Sequence, residues 1–316
     1  MIEKRKIVLV GTGFVGMSMA YSLLNQGGIN ELVLIDVLKE KAEGEAMDLA
    51  HGISCAPSDI NIKAGDYSEC KDANIVVITA GLAQKPGQTR LDLATANAKI
   101  MKDITENVVN SGFKGIFLIA SNPVDIMTYV VKTVSGFPSE RVIGSGTVLD
   151  TARLRYLIGK YLDVSSKNVH AYIMGEHGDS SFVPWNHAYV GCKKMLDIME
   201  DNNHPKEDLE KIYTDVQQAA YEIINRKKAT YYGIGLGLTK IIKAILNDQN
   251  EIMTVSTYLN GEYGQKDIYI GVPAILNSKG ARDIIELKLE DGEKGRFENS
   301  CNILRNMKEE IDKVIK

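Results

Sequence analysis

Gly11-Thr12-Gly13-Phe14-Val15-Gly16 comes directly after the apolar run 7–10 and directly before an amphipathic stretch, 14–24. A strand that turns through glycines straight into a helix is the opening unit of a parallel, crossover-connected sheet. Gly11 permits the tight turn, Gly13 lets the backbone approach a pyrophosphate, and Gly16 lets the helix pack on the strand. The helix N-terminus then offers N–H groups and a positive dipole end to phosphates. Gly27-Gly28 is the expected stop. Asp36 closes the next apolar run, twenty residues beyond Gly16, where a carboxylate accepts hydrogen bonds from an adenosine ribose. The glycine spacing alone is weak evidence. Strand, helix, second strand and terminal acid together outweigh an ordinary βα turn, so dinucleotide binding is expected. Asp36 followed by Val37 favours NAD, because a 2′-phosphate would meet the carboxylate; Lys39 and Lys41 keep NADP open.

Further aliphatic runs at 32–35, 75–80 and 116–120 alternate with helical patterns such as 91–109. Consecutive apolar positions suit strands buried on both faces. The fold class predicted is α/β: a doubly wound parallel sheet in the first half. After about residue 145 the pattern changes. Helical stretches at 149–162 and 206–227 and a closing helix at 298–315 surround the runs 169–174, 252–259 and 267–276. The 206–227 stripe is Leu209, Ile212, Tyr213, Val216, Ala220, Ile223 and Ile224. The second half is therefore expected to be a mixed α+β domain. A chain of 316 residues has length for two domains, with boundaries 1–145 and 146–316. No flexible linker separates them, so they should pack closely.

Lys plus Arg is 37 and Asp plus Glu 41, a net charge of −4, which gives no general attraction to nucleic acid or anionic membrane. Cys55, Cys70, Cys192 and Cys301 form no CxxC pair, and no His stands at ligand spacing. They read as free thiols of a reducing compartment, with no metal site. The basic start runs into an apolar segment too short for a signal sequence, and no 18-residue apolar stretch exists. The expected compartment is the cytoplasm.

Gly175-Glu176-His177-Gly178-Asp179 is the most unusual local sequence. Its flanking glycines should leave the His177 ring accessible, and hydride transfer from an alcohol needs a proton acceptor tuned near neutral pH. A lone histidine is more often a solvated one, so spacing does not make it catalytic. Asp150 and Arg153 are three apart and share a helix face. Arg155 lies roughly 200° around from Arg153 and cannot serve the same site. The bland alternative is a surface Asp–Arg pair and a solvated Arg. The Gly/Pro-containing loop 81–90 follows one strand and Ser121-Asn122-Pro123 another, so both face the ligand crevice of a doubly wound sheet, the former as a candidate lid.

GTGFVG, AQKPGQTRLDL, SNPVD, LDTARLR, GEHGD and ATYYG occur in this order across nearly the whole chain. The sequence closely resembles the bacterial L-lactate dehydrogenases of the lactate/malate dehydrogenase superfamily. The resemblance implies a Rossmann NAD-binding half and a substrate half. It implies reversible hydride transfer between NADH and pyruvate, giving (S)-lactate at the end of anaerobic glycolysis. It makes His177 the proton acceptor and donor, Asp150 its orienter, Arg153 the holder of the substrate carboxylate and Arg90 the group that polarises the keto oxygen. Asn122 and Thr230 complete the substrate pocket. The cofactor set implied is Gly11, Gly13, Val15, Gly16, Asp36, Lys41, Tyr67, Gly81 and Asn122. Gln84 stands where malate dehydrogenases carry Arg, and an uncharged group leaves a second carboxylate uncompensated. Pyruvate is therefore favoured over oxaloacetate, with malate dehydrogenase, or another L-2-hydroxy acid dehydrogenase, the alternative.

By the same resemblance Arg155 and His170 bind fructose 1,6-bisphosphate at a subunit interface of a homotetramer. The long N-terminal arm of vertebrate relatives is not expected. The segment 181–186, SFVPWN, departs from the usual Pro-Val-Trp-Ser and puts local packing in doubt. Two other readings compete. Tyr156 and Lys160 make a YxxxK match to short-chain dehydrogenases, but the first turn is GxGxxG and Tyr156 is expected in core or interface packing. A silent NAD-binding module would keep the glycines and Asp36 but has no reason to keep His177, Asp150, Arg153 and Arg90 together.

Overall fold

The computed structural model describes residues 5–82 and 90–315, Arg90 by its backbone alone. The first half alternates β1 (Lys6–Val10), α1 (Phe14–Gln26), β2 (Glu31–Ile35), α2 (Lys39–His51), β3 (Asn61–Ala64), β4 (Ile75–Ile78), α3 (Arg90–Asn110), β5 (Ile116–Ile119), α4 (Val124–Ser135) and β6 (Val142–Gly144). The second half begins with α5 (Val148–Leu162), β7 (Val169–His170), β8 (Tyr189–Val190), β9 (Lys193–Lys194), α6 (Met195–Asp201) and α7 (Glu207–Lys227). It ends with α8 (Tyr232–Leu246), β10 (Glu251–Asn260), β11 (Lys266–Asn277), β12 (Gly280–Ile284) and α9 (Asp291–Ile315).

One sheet runs β12-β11-β10-β6-β5-β4-β1-β2-β3. The strands from β6 to β3 are parallel to one another, and β10, β11 and β12 extend the sheet antiparallel, β10 joining β6 through Ser256 opposite Gly144. Each aliphatic strand feeds two cores. Val8, Val10, Val76, Ile78, Phe117 and Ile119 point to one face, and Ile7, Leu9, Ile75, Val77, Ile116 and Leu118 to the other. This two-sided burial is why these segments are apolar at consecutive positions rather than alternating. α3, α4 and α9 cover the first face, and α1, α2 and α8 the second. A third core joins the inner face of α5 and α7 to β7 and α6 through Leu154, Ile158, Val169, Leu209 and Met195.

Several boundaries differ from expectation, each for a physical reason. β4 ends at Ile78, because Thr79 and Ala80 already bend into the crevice, their N–H groups converging on the Val10 carbonyl. The run 169–174 forms strand only at its first two residues, and Met174 instead bridges Phe182. The doubted segment packs tightly: Phe182 and Val183 are buried, and the Phe182 ring meets Phe297 edge-on at 6.3 Å. α9 begins seven residues earlier than the pattern suggested; Gly292 and Gly295 mask the helical signal there. The α7 stripe is buried at Leu209, Ile212 and Val216, but Ile224 emerges 41% exposed. Tyr156 is 61% exposed on α5, which removes the core half of the core-or-interface packing expected of it.

Candidate active site

Where β1 ends, the chain turns through Gly11 at φ 105°, and its N–H donates to the Ile35 carbonyl at 2.8 Å. A Cβ on Gly11 would strike the Ala80 backbone, and one on Gly16 the Gly11 carbonyl oxygen. These two glycines are needed for the turn to lie against β4 and for α1 to lie against the turn. Gly13 differs, since nothing lies within 4 Å of the Cβ it lacks. It caps α1 in extended conformation, with no side-chain cap and no acid in the first turn. An open, acid-free helix N-terminus fits a bound phosphate.

Asp36 organises this turn. Its Oδ2 accepts from the Thr12 N–H at 2.7 Å and the Thr12 hydroxyl at 2.8 Å, and its Oδ1 from the Leu38 N–H at 3.0 Å. Burial opposes its charge, but these bonds and the nearby Lys41 hold the carboxyl below its ordinary value. Lys41 donates to the Thr12 carbonyl at 2.6 Å, so it braces the turn. Tyr67 lies within electrostatic reach of Asp36; burial and the charges of Asp103, Cys70 and Asp36 push its hydroxyl up to about 12. Val15 is half-buried against the α1-side core. This end of the crevice fits an adenosine diphosphate group.

The next wall of the crevice is built from the ends of β4 and β5. Buried Asn97 of α3 accepts from the Leu82 N–H at 2.8 Å and donates to the Asn122 carbonyl at 2.8 Å. Ser121 donates to the Ala80 carbonyl at 2.5 Å. Gly81 faces the Asn97 amide, and the Asn122 side chain stays exposed. Asn97 drew no notice in the sequence, where it is one polar residue of a helical pattern.

The chemical centre lies on α5 and the loop after β7. His177 Nδ1 is 2.7 Å from Asp150 Oδ2, and Arg153 Nη1 is 3.1 Å from Asp150 Oδ1. Asp150 sits in the first turn of α5, where the helix dipole favours a negative charge. The three side chains are 15% (Asp150), 14% (Arg153) and 29% (His177) exposed: sheltered, yet open at the ring. Burial alone would lower the His177 pKa. The charge and hydrogen bond of Asp150, then the charge of Asp125, outweigh burial and Arg153 and push it up to about 9. Burial would likewise raise Asp150, but His177 and then Arg153 hold it below the usual carboxylate range.

The glycines around His177 also have a packing cause. A Cβ on Gly175 would meet the Ser300 hydroxyl, and one on Gly178 the Glu176 carboxylate. Buried Glu176 accepts from Ser180 at 2.5 Å, and its N–H donates to Ser300 of α9 at 3.2 Å. The loop is thus folded tightly around its own polar groups, and the ring projects from it. Asp125 of α4 accepts the His177 N–H at 2.9 Å. It stands inside the SNPVD stretch, and only its position in the fold singles it out.

The structure therefore brings His177, Asp150 and Arg153 together. Thr230 is half-buried in the connection between α7 and α8, and the next residue, Tyr231, stacks on Phe14 of α1 at 5.1 Å. Gln84 and the Arg90 side chain lie outside the described residues. Arg155 points away from Arg153, as helical geometry required. It donates to the Ala171 carbonyl at 3.0 Å and lies over the Tyr172 ring; His170 is exposed. Among the described residues no His, Cys, Asp and Glu group could hold a metal, and no helix is long and apolar enough to cross a membrane. The four cysteines are free thiols, Cys70 and Cys301 buried.

Residues 5–144 match the family model described as lactate/malate dehydrogenase, NAD binding domain, and residues 147–315 the model described as its alpha/beta C-terminal domain. L-lactate dehydrogenase 2 of Bacillus cereus is 56% identical over 301 residues, covering 95% of this chain and 96% of the relative. A lactate dehydrogenase from a Medee basin deep-sea metagenome library superposes with TM-score 0.96 at 54% identity, covering 98% of this chain and all of the other. The minor L-lactate dehydrogenase of Enterococcus mundtii, in its ligands-bound form, superposes with TM-score 0.96 at 51% identity over 99% of both chains.

Proposed function

The chain belongs to the lactate/malate dehydrogenase family, and from that membership we propose that it is an NAD-dependent L-lactate dehydrogenase interconverting pyruvate and (S)-lactate. The observation that carries the chemistry is the cluster of His177, Asp150 and Arg153. NADH, when bound, supplies the hydride. At neutral pH His177 carries a proton on each ring nitrogen: Nδ1–H is held by Asp150, and Nε2–H is the proton to be given to the keto oxygen. Asp150 fixes the ring's orientation and stabilises the imidazolium. In lactate oxidation the neutral ring takes the hydroxyl proton. An arginine has five N–H donors, and the Asp150 bond uses one. Arg153 therefore has donors in hand for the substrate carboxylate, in the planar geometry a carboxylate prefers.

By motif, Arg90 would place positive charge beside the keto oxygen, where negative charge builds up during hydride attack. Asn122 and Thr230 would complete the pocket. Gln84 supplies no charge for a second carboxylate, which supports pyruvate over oxaloacetate. Gly11, Gly13, Val15, Gly16, Asp36, Lys41, Tyr67, Gly81 and Asn122 would form the NAD site.

The division near residue 145 separates the nucleotide-binding part from the substrate part. A cytoplasmic role in lactate fermentation fits the same reading. So does a homotetramer responding to fructose 1,6-bisphosphate, supported by the motif match of Arg155 and His170 and by Arg155 reaching the carbonyl of Ala171, the residue after His170. The decisive experiment is NADH oxidation over pyruvate, oxaloacetate and a branched 2-keto acid, with and without fructose 1,6-bisphosphate. Pyruvate should give the highest kcat/KM; a preference for oxaloacetate makes the chain a malate dehydrogenase instead.

A further inference from the structure

Asp125 is a buried carboxylate that the chemistry above does not use. It stands in the first turn of α4 and is 2% exposed. Its Oδ2 accepts the backbone N–H of His177, and its Oδ1 accepts the Ser256 hydroxyl at 2.5 Å. Ser256 lies on β10 opposite Gly144 of β6. One side chain thus ties the His177 loop to a helix of the parallel half and to the strand that extends the sheet.

We propose that Asp125 is a positioning residue for proton transfer: it clamps the His177 backbone from behind, while Asp150 of a different helix holds the ring. The proposal takes the reaction from the lactate dehydrogenase reading, while its geometry stands apart from it.

An asparagine of the same shape can accept the His177 N–H and bond to Ser256. The property that separates Asp125 from that amide is its charge, which burial makes costly. Three features offset the cost. The carboxylate lies at a helix N-terminus, it accepts two hydrogen bonds, and it is within electrostatic reach of a protonated imidazole. Among the described residues, the charged groups facing His177 are Asp150 and Arg153 from α5 and Asp125 from α4. Glu176, beside His177 in the loop, acts on Asp125. Burial pushes Asp125 up to about 6, against the bonds from Ser256 and His177 and the attraction of the imidazolium. At neutral pH it is therefore mainly ionised and helps keep His177 protonated. Ser180 and Ser300 anchor the other side of the same loop, so the loop is held from two directions and the ring has little freedom to tilt.

The test compares wild type with Asp125→Asn and Ser256→Ala. In the ligand-free protein, NMR titration of the His177 ring should give a pKa lower by roughly half a unit or more in Asp125→Asn. In Ser256→Ala Asp125 is still ionised where His177 titrates, so that titration should move little; the carboxylate loses its anchor instead, and the His177 backbone amide should exchange faster with solvent. The alkaline limb of kcat/KM for pyruvate reduction should move down with the titration, while the pyruvate KM on the plateau stays within about threefold. An unmoved His177 titration in Asp125→Asn overturns the proposal. If that variant does not fold, unchanged exchange of the His177 backbone amide in Ser256→Ala does so. The titration needs no substrate. A shifted titration in a protein that fails to reduce pyruvate keeps the Asp125 role and overturns only the substrate assignment.

Discussion

Nδ1 of His177 stands 2.7 Å from Oδ2 of Asp150, across 27 positions of sequence. One residue is in the first turn of α5 and the other in a loop folded over the sheet, so the pair exists only through tertiary packing. Its closeness keeps the ring charged at neutral pH, and the direction of catalysis favoured at a given pH follows from that charge.

Pyruvate reduction consumes the imidazolium, so its kcat/KM should fall as the pH rises through about 9, and lactate oxidation should rise over the same interval. Stability follows the same sign. The folded His177 holds its proton more tightly than an ordinary histidine, so its contribution is complete below about 6.5. It is lost as the pH rises through about 9. Asp150 works in the opposite sense, its contribution being lost as the pH falls through its lowered folded value. Rate–pH profiles in both directions check this; parallel profiles would remove His177 as the proton carrier.

Asp150→Asn should preserve shape and lose the charge that supports the imidazolium. Turnover should drop by about 100-fold or more, with pyruvate KM much less affected. His177→Ala should lose about 100- to 10,000-fold in turnover while NADH still binds, as followed by fluorescence titration. Retained turnover in His177→Ala would leave a dinucleotide-binding module whose chemistry lies elsewhere.

Gly16→Ala and Gly13→Ala should separate folding from cofactor binding. A methyl on Gly16 runs into the Gly11 carbonyl oxygen, which should cost about 1–3 kcal/mol of stability. A methyl on Gly13 meets nothing, and Gly13 has φ −77°, so that variant should unfold at the wild-type temperature. Its NADH Kd should nonetheless rise if the pyrophosphate lies against this turn. Wild-type NADH affinity in Gly13→Ala contradicts that placement.

Gln84→Arg should move specificity toward oxaloacetate. A charge-assisted bond to the second carboxylate is worth about 1.5–3 kcal/mol, so the ratio of kcat/KM values should shift roughly 10- to 100-fold. An unchanged ratio would place the specificity determinant on another residue.

Fructose 1,6-bisphosphate should lower the pyruvate concentration needed for half-maximal rate, and Arg155→Gln should abolish that response. Kinetics at low pyruvate, on protein whose tetrameric state is established by light scattering, checks both. No response in a proven tetramer would leave Arg155 with its Ala171 and Tyr172 contacts as its whole role.

Much of the architecture was legible in sequence because its signals are local. Consecutive aliphatic residues mark β1, β2, β4 and β5, since each must feed a core on both faces. The glycines and Asp36 mark the nucleotide turn, since only certain residues tolerate its backbone. Edge strands left a fainter trace: β3 alternates with polar residues, and β12 carries the exposed pair Arg282 and Asp283, because one side or end of them meets water. The start of α9 was hidden by glycines that the rest of that helix tolerates.

Residue type and spacing by themselves determined that Arg153 and Arg155 must diverge, that the first crossover could cradle a dinucleotide, and that His177 was a candidate for proton transfer. The motif resemblance named Asp150 as the partner of that histidine; only the tertiary structure set the two in contact and decided which acid stands behind them. Asp125, Asp150 and Ser256 are far apart in the chain, and a polar residue shows no sequence sign of being buried. The carboxylates become effective because folding removes them from water and sets them within hydrogen-bond reach of His177, where their charges are no longer screened.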